Sequence, residues 1–217
     1  MLRLRYEKLG NARWISHLDM MHMLQRCFLR AGMSLRHTEG YHPHAFVSIA
    51  LPLPVGQESV CELLEFALTG ADIPPMEEIP ARLNAAFPAG LRATECWESD
   101  RKIRELTLLR TRVTLEYDHG APPAETIAAL FDRPELPVEK RTKKGPAMVD
   151  IRPLIHRLEV LPCGDGLALE TVLSAQNPGL NPELLAAAIR THLPDCAPDF
   201  ARALRLENLD AEEQIFR

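Results

Sequence analysis

Polar and apolar residues alternate along Leu2-Arg3-Leu4-Arg5-Tyr6-Glu7-Lys8, the period of a half-buried strand. The period then changes. Leu18, Met21, Leu24, Phe28 and Ala31 recur at helical spacing and predict a helix over 17–31 with an apolar core face. Ser16 is its N-cap, Asp19 its capping-box partner and Gly32 its stop. The opposite face carries His22, Gln25, Arg26 and Arg30. Ser34–Thr38 is short and extended, strands follow over Phe46–Leu51 and Ser59–Leu68, Met76–Phe87 reads as a helix, and Gly90–Trp97 as a strand.

The second half repeats this order with one additional strand. Leu109, Thr111, Val113, Leu115 and Tyr117 mark one face of a strand over Leu108–Tyr117. A helix over Pro122–Phe131 starts with proline in its first turn. Leu136–Arg141 is a strand, Lys143-Lys144-Gly145-Pro146 an exposed basic turn, and Met148–Ile155 and Arg157–Leu161 are extended. Gly164-Asp165-Gly166 signals a hairpin into a strand over Leu167–Ser174, before a helix over Pro182–His192 and a last strand over Ala203–Leu209. The architecture expected is α+β: two tandem ferredoxin-like βαββαβ units with antiparallel sheets and helices on one face. They occupy residues 1–98 and 106–210, joined through 98–105 and followed by a tail, 211–217.

Charge sharpens this picture. The 217 residues carry a net charge of −5, so the chain as a whole is no general polyanion binder. Yet residues 1–50 hold seven Lys/Arg against three Asp/Glu, with five of the eight histidines. Residues 140–157 hold six Lys/Arg against one Asp. No apolar run reaches the ~20 residues of a membrane span and no signal-peptide core opens the chain, so a cytoplasmic location without membrane contact is expected. Five scattered cysteines fit buried free thiols better than a disulfide framework, a zinc knuckle or an iron–sulfur site.

The candidate chemistry concentrates in His37–Gly56. Gly40 and Pro43 restrict the backbone of a His-rich knot, which runs into an apolar strand and a Pro-x-Pro-x-Gly break. His42 and His44 supply only two of the four ligands a metal centre needs, so contacts to phosphate or a base edge, and first of all simple fixing of the turn, suit them better; no metal or other cofactor is expected. Ser16 and His17 stand at a helix start, where backbone N–H groups favour anions, and His17 has the chemistry of an acid–base group. Asp19 completes the cap rather than orienting His17. Arg141, Lys143, Lys144 and Arg152 form the strongest basic patch, reduced by an ion pair expected between Asp150 and Arg152. Tyr41 is available for stacking, whereas Trp14 and Phe46 are expected in the core, which leaves few aromatics for bases.

Several of these segments carry a resemblance. Tyr6-Glu7-Lys8, Ser16-His17-Leu18-Asp19, Arg30-Ala31-Gly32, Glu39-Gly40-Tyr41-His42-Pro43-His44 and Ile49–Ser59 resemble the radical-SAM-linked domain family of unknown function. Lys143-Lys144-Gly145 and Val149-Asp150-Ile151-Arg152-Pro153 extend the likeness into the second half. His42 departs from it, since asparagine is usual there. The resemblance implies a domain fused to the C-terminus of radical SAM proteins, or encoded beside them, and hence a radical SAM partner. The chain has no Cys-x3-Cys-x2-Cys motif, so it does not itself hold that cluster. A fold-level likeness to the CRISPR repeat-processing endoribonucleases rests on paired ferredoxin-like units and an early His-bearing helix.

Three functions follow as expectations. The first is a non-catalytic module that binds tRNA-like RNA, or presents a substrate, for a radical SAM protein. Its surface combines Ser16, His17, Arg30, Tyr41, His42 and His44 with Arg141, Lys143, Lys144 and Arg152 in one polar groove. The second is a metal-independent endoribonuclease with His17 or His44, facing each other, as base. The third is a protein-interaction adaptor.

Overall fold

The computed structural model describes residues 1–142 and 145–217. The chain is α+β and divides into unit 1, Met1–Ile103 with Arg217, and unit 2, Arg104–Phe216. Among the described residues no helix is long and apolar enough to cross a membrane.

In unit 1 the order is β1 (Leu2–Lys8), α1 (His17–Arg30), β2 (Val47–Ala50), β3 (Glu58–Phe66), α2 (Ile79–Asn84) and β4 (Leu91–Glu98). The strands lie in the order β4-β1-β3-β2, each neighbour antiparallel. Alternation puts Leu4 and Tyr6 of β1 and Leu64 and Phe66 of β3 on the face covered by α1 and α2. The helices answer with Met20, Leu24, Cys27 and Phe28 from α1 and Ile79 and Leu83 from α2. The rings of Phe28 and Phe66, both fully buried, lie 4.8 Å apart. Truncating either is expected to cost about 3–5 kcal/mol through lost burial and the cavity left behind.

The helical period was legible, but the phase of its buried stripe was not. Leu18, expected in the core, is 69% exposed, while Cys27 is buried. The buried stripe runs through Met20, Leu24, Cys27 and Phe28, and Leu18, two residues past the cap, falls off that stripe. The long helix expected over Met76–Phe87 is a 3-10 turn, Met76–Glu78, followed by the short α2. Pro80 stands within α2's first turn, where its missing N–H costs no intrahelical bond.

Unit 2 contains β5 (Leu108–Glu116), α3 (Ala124–Phe131), β6 (Pro137–Thr142), β7 (Gly145–Asp150), β8 (Ile155–Cys163), β9 (Gly166–Ser174), α4 (Glu183–His192) and β10 (Phe200–Leu209). Its sheet runs β10-β5-β9-β8, again antiparallel, and β6 pairs with β7 as a separate hairpin. Unit 2 thus has six strands to the four of unit 1, two more rather than the one expected, and that hairpin supplies both. It packs through buried Val138 into the core formed by Val113, Leu115 and Leu169 with α3 and α4. His192 at the end of α4 lies 2.8 Å from the Pro137 carbonyl through Nε2. The segment expected as a tail turns back on β10: Ile215 bridges Leu209, the Phe216 N–H donates to the Asn208 carbonyl, and Phe216 is buried.

Candidate functional site

Lys8 ends β1 on the same face as Leu4 and Tyr6, so the alternation that builds the core carries an ammonium into it. Tyr6 pairs in register with Glu62 of β3, and Tyr6, Lys8 and Glu62 are each at most 3% exposed. They line a small cavity with Ile49 of β2, Met20 of α1 and, at its mouth, His17. Its interior offers ≈ 10 Å³ to water-sized centres, room for about one water and no substrate. Lys8 Nζ donates to the Ile15 carbonyl at 3.0 Å, which ties the helix start to the sheet. Burial lowers the pKa of Lys8, and the carboxylate of Glu62 works in the opposite direction. The sequence reading missed this pair. Its signals were Lys8 at the end of an apolar period and Glu62 within an otherwise apolar strand.

Ser16 caps α1 as expected. Its Oγ accepts from the Asp19 N–H at 3.3 Å and donates to Asp19 Oδ2 at 2.7 Å. Asp19 thus serves the cap. Exposed His17 stands at the helix start, and among the described residues its ring makes no hydrogen bond.

Trp14, expected in the core, is 60% exposed. The 3-10 turn Gly10–Trp14 carries it past the end of β1, and the break Pro52–Gly56 folds against it. The Gly56 N–H donates to the Arg13 carbonyl at 2.9 Å. A Cβ on Gly56, which has φ +91°, would stand 3.2 Å from the Trp14 ring. The Arg13 guanidinium lies 5.1 Å from the centroid of the same ring. Phe46, also expected in the core, is half-buried beneath Arg36.

The His-rich knot is a hairpin that leaves the sheet. Before it, Leu35 bridges Leu68 and the Arg36 N–H donates to the Ala67 carbonyl. After it, β2 resumes the pairing at Val47 opposite Phe66. The intervening arms pair with each other: Phe46 N–H to the Arg36 carbonyl at 2.7 Å, and Thr38 N–H to the His44 carbonyl at 2.8 Å. His44 Nδ1 lies 3.1 Å from Thr38 Oγ1 and 3.3 Å from the His42 carbonyl, so this ring braces the hairpin and keeps Nε2 as its remaining polar atom. Gly40 supplies φ +132° near the tip. Tyr41 is 100% exposed, with His42 edge-on to it at 6.2 Å.

The hairpin branches from β3 at Phe66–Ala67, and the cavity beside His17 is lined by Glu62 of β3 and by Ile49 of β2, which pairs with Leu64. His17 lines that cavity and His44 does not. Among the described residues no three His, Cys, Asp or Glu side chains gather as a metal-binding group.

Arg30 ends α1 and donates to the Ala86 carbonyl at 2.8 Å and to Cys27 Sγ at 3.1 Å, stapling α1 to the chain that follows α2. The cysteines, all expected to be buried, differ: Cys27 and Cys61 are buried, Cys163 is exposed, and Cys96 and Cys196 are half-buried. Burial pushes the Cys96 thiol up to about 12.

The remaining candidates belong to unit 2. Arg141 lies in β6 opposite Pro146, and Lys143 and Lys144 lie outside the described residues. Gly145 and Pro146 open β7 instead of forming the body of a turn. The expected ion pair between Asp150 and Arg152 is absent among the described residues. Asp150 Oδ1 instead accepts from the backbone N–H groups of Leu136 at 2.7 Å and Arg152 at 3.0 Å, and the guanidinium of Arg152 donates to the Ile155 carbonyl at 3.0 Å. The candidates therefore fall into two groups, one on each unit.

No curated protein matches the chain. A family model described as an uncharacterized protein conserved in bacteria (DUF2344) matches residues 1–182, from β1 to the residue that caps α4. The chain belongs to that bacterial family.

Proposed function

We propose that this protein is a non-catalytic accessory module that binds single-stranded, tRNA-like RNA and works beside a radical SAM partner. The observation that carries the RNA reading is Tyr41, fully exposed at the tip of a hairpin whose arms hydrogen-bond to each other and are braced by His44. An exposed ring on a preorganised hairpin is a stacking platform for a base, and stacking tolerates any base because each has a π-face. Exposed Trp14, with Arg13 beside its ring, supplies a second aromatic that the sequence reading had placed in the core. The radical SAM partner rests on the motif resemblance alone. We also read each unit as ferredoxin-like, on the order β-α-β-β-α-β and its strand arrangement, with the β6–β7 hairpin inserted in unit 2.

The test is fluorescence anisotropy with a labelled single-stranded RNA. Tyr41→Ala is expected to weaken binding about 5- to 150-fold, the equivalent of ~1–3 kcal/mol per stacked base, while Tyr41→Phe retains it. Lys143→Glu/Lys144→Glu is expected to weaken affinity and flatten its salt dependence. Affinity unmoved by all three substitutions, or no RNA binding in the parent protein, sinks the reading. The partner is tested separately: a radical SAM chain should co-purify from the native cell, and should persist after ribonuclease treatment if it contacts the protein directly.

A further inference from the structure

We propose that a cleft between α3 and β8 in unit 2 is a subsite for an RNA phosphate and the adjoining ribose 2′-hydroxyl, so that the protein prefers RNA to DNA of the same sequence. This rests on the RNA-binding reading and gives it a substrate class. The cleft offers ≈ 70 Å³ to water-sized centres, seven times the space beneath His17, and room for a tetrahedral oxyanion with its hydrogen bonds. Phe131 lies within its lining, Arg152, His156 and Arg157 supply one wall, and Asp132 stands at the end of α3.

A local irregularity builds the basic wall. Along β8 and β9 the register passes from Ile155 opposite Leu173 to Arg157 opposite Val172, leaving His156 as the extra residue of a β-bulge. In a regular strand, His156 and Arg157 would point to opposite faces. The bulge removes that alternation, and both residues line the cleft. Arg152 reaches it because Asp150 is occupied with backbone N–H groups, which leaves the guanidinium one hydrogen bond, to Ile155, and further donors for a ligand. His156 Nε2 is 2.9 Å from Ser174 Oγ, which orients the ring. Arg157 pairs with Glu213 at 2.6 Å at the exposed rim, so it is the weaker of the two cations.

Asp132 decides the ligand. Its carboxylate makes no hydrogen bond or ion pair among the described residues, and it caps a helix C-terminus that already carries partial negative charge. A site for a bare phosphate gains nothing from that wall. A ribonucleotide fits both walls: the phosphate takes the Arg152 side and the neighbouring 2′-hydroxyl donates to Asp132. A 2′-deoxy strand leaves the carboxylate without a donor beside an anion. The 2′-hydroxyl is the group by which a protein distinguishes the two polymers at a given site.

The experiment compares a single-stranded RNA with its 2′-deoxy counterpart, by anisotropy on the full chain at one salt concentration. The parent protein is expected to bind RNA about tenfold more tightly, as one hydrogen bond to a charged acceptor provides. Asp132→Ala is expected to remove this gap by lowering RNA affinity without lowering DNA affinity, and Asp132→Asn, which keeps an acceptor oxygen, to restore part of it. Arg152→Gln is expected to weaken both polymers alike. Equal parent affinities, or a gap that survives Asp132→Ala, overturn the subsite while the RNA reading stands. Absence of RNA binding removes both.

Discussion

The buried pair Lys8 and Glu62 makes a quantitative demand on the fold of unit 1. Glu62 is 1% exposed and Lys8 3%, and Lys8 also holds the Ile15 carbonyl that opens onto the helix cap. Lys8→Met keeps the length and apolar stem of the side chain and removes both that hydrogen bond and the positive charge on which the Glu62 carboxylate acts. Glu62→Leu removes the carboxylate and leaves a buried ammonium. Breaking a buried ion pair from one side costs about 3–5 kcal/mol, and the low end is the ceiling here, because Glu62 acts on Lys8 through its charge and the cavity admits about one water. Each single substitution should therefore cost at most about 3 kcal/mol and lower the urea midpoint by at most about 1–3 M. The double substitution removes both desolvation penalties and should stand within about 1 kcal/mol of the parent, since apolar replacement of a whole pair is often neutral. The assay is urea denaturation of the four proteins, monitored by circular dichroism. Single losses below about 1 kcal/mol, or losses that simply add in the double variant, refute the claim that these charges are energetically coupled in the core.

The same lysine gives a pH signature. Its folded pKa lies below the ordinary 10.5, so between the two values the unfolded chain binds more protons than the native one. Stability should rise with pH across that interval, and Lys8→Met should flatten the rise in urea titrations. Ser16→Ala removes the acceptor of the Asp19 N–H and should cost about 1 kcal/mol in the same assay. Gly56→Ala meets both a φ of +91° and the Trp14 ring, so a loss of about 1–2 kcal/mol or more is expected, with a shift in tryptophan emission. An unchanged melt and spectrum would mean that the Pro52–Gly56 segment does not rest on Trp14.

Period and punctuation sufficed for much of this molecule. The alternation of Leu2–Lys8, the helical repeat after Ser16, the strands over Leu108–Glu116 and Leu167–Ser174, and the α+β class all follow from local rules, because side-chain direction repeats every two residues in a strand and every 3.6 in a helix. Those rules say which residues share a face, but not what covers it. Leu18 is apolar and exposed because it falls off the buried stripe of α1, Trp14 because it ends the 3-10 turn Gly10–Trp14, while Lys8 and Glu62 are charged and buried against Met20 of α1. Linear proximity also misled. His17 and His44 share a chemistry, yet His17 lines a small cavity at the helix start while His44 braces its own hairpin through Thr38. Asp150 and Arg152 were paired by adjacency, yet the carboxylate takes one backbone donor from the start of the 3-10 turn, Arg152, and one from Leu136, fourteen residues earlier. The bulge that turns His156 and Arg157 toward one cleft exists only in the pairing of β8 with β9. Composition and period therefore determined the elements and the basic character of residues 140–157. Register, bulges and packing, which depend on partners distant in the chain, decided which polar groups are buried, which aromatics are exposed, and which residues meet.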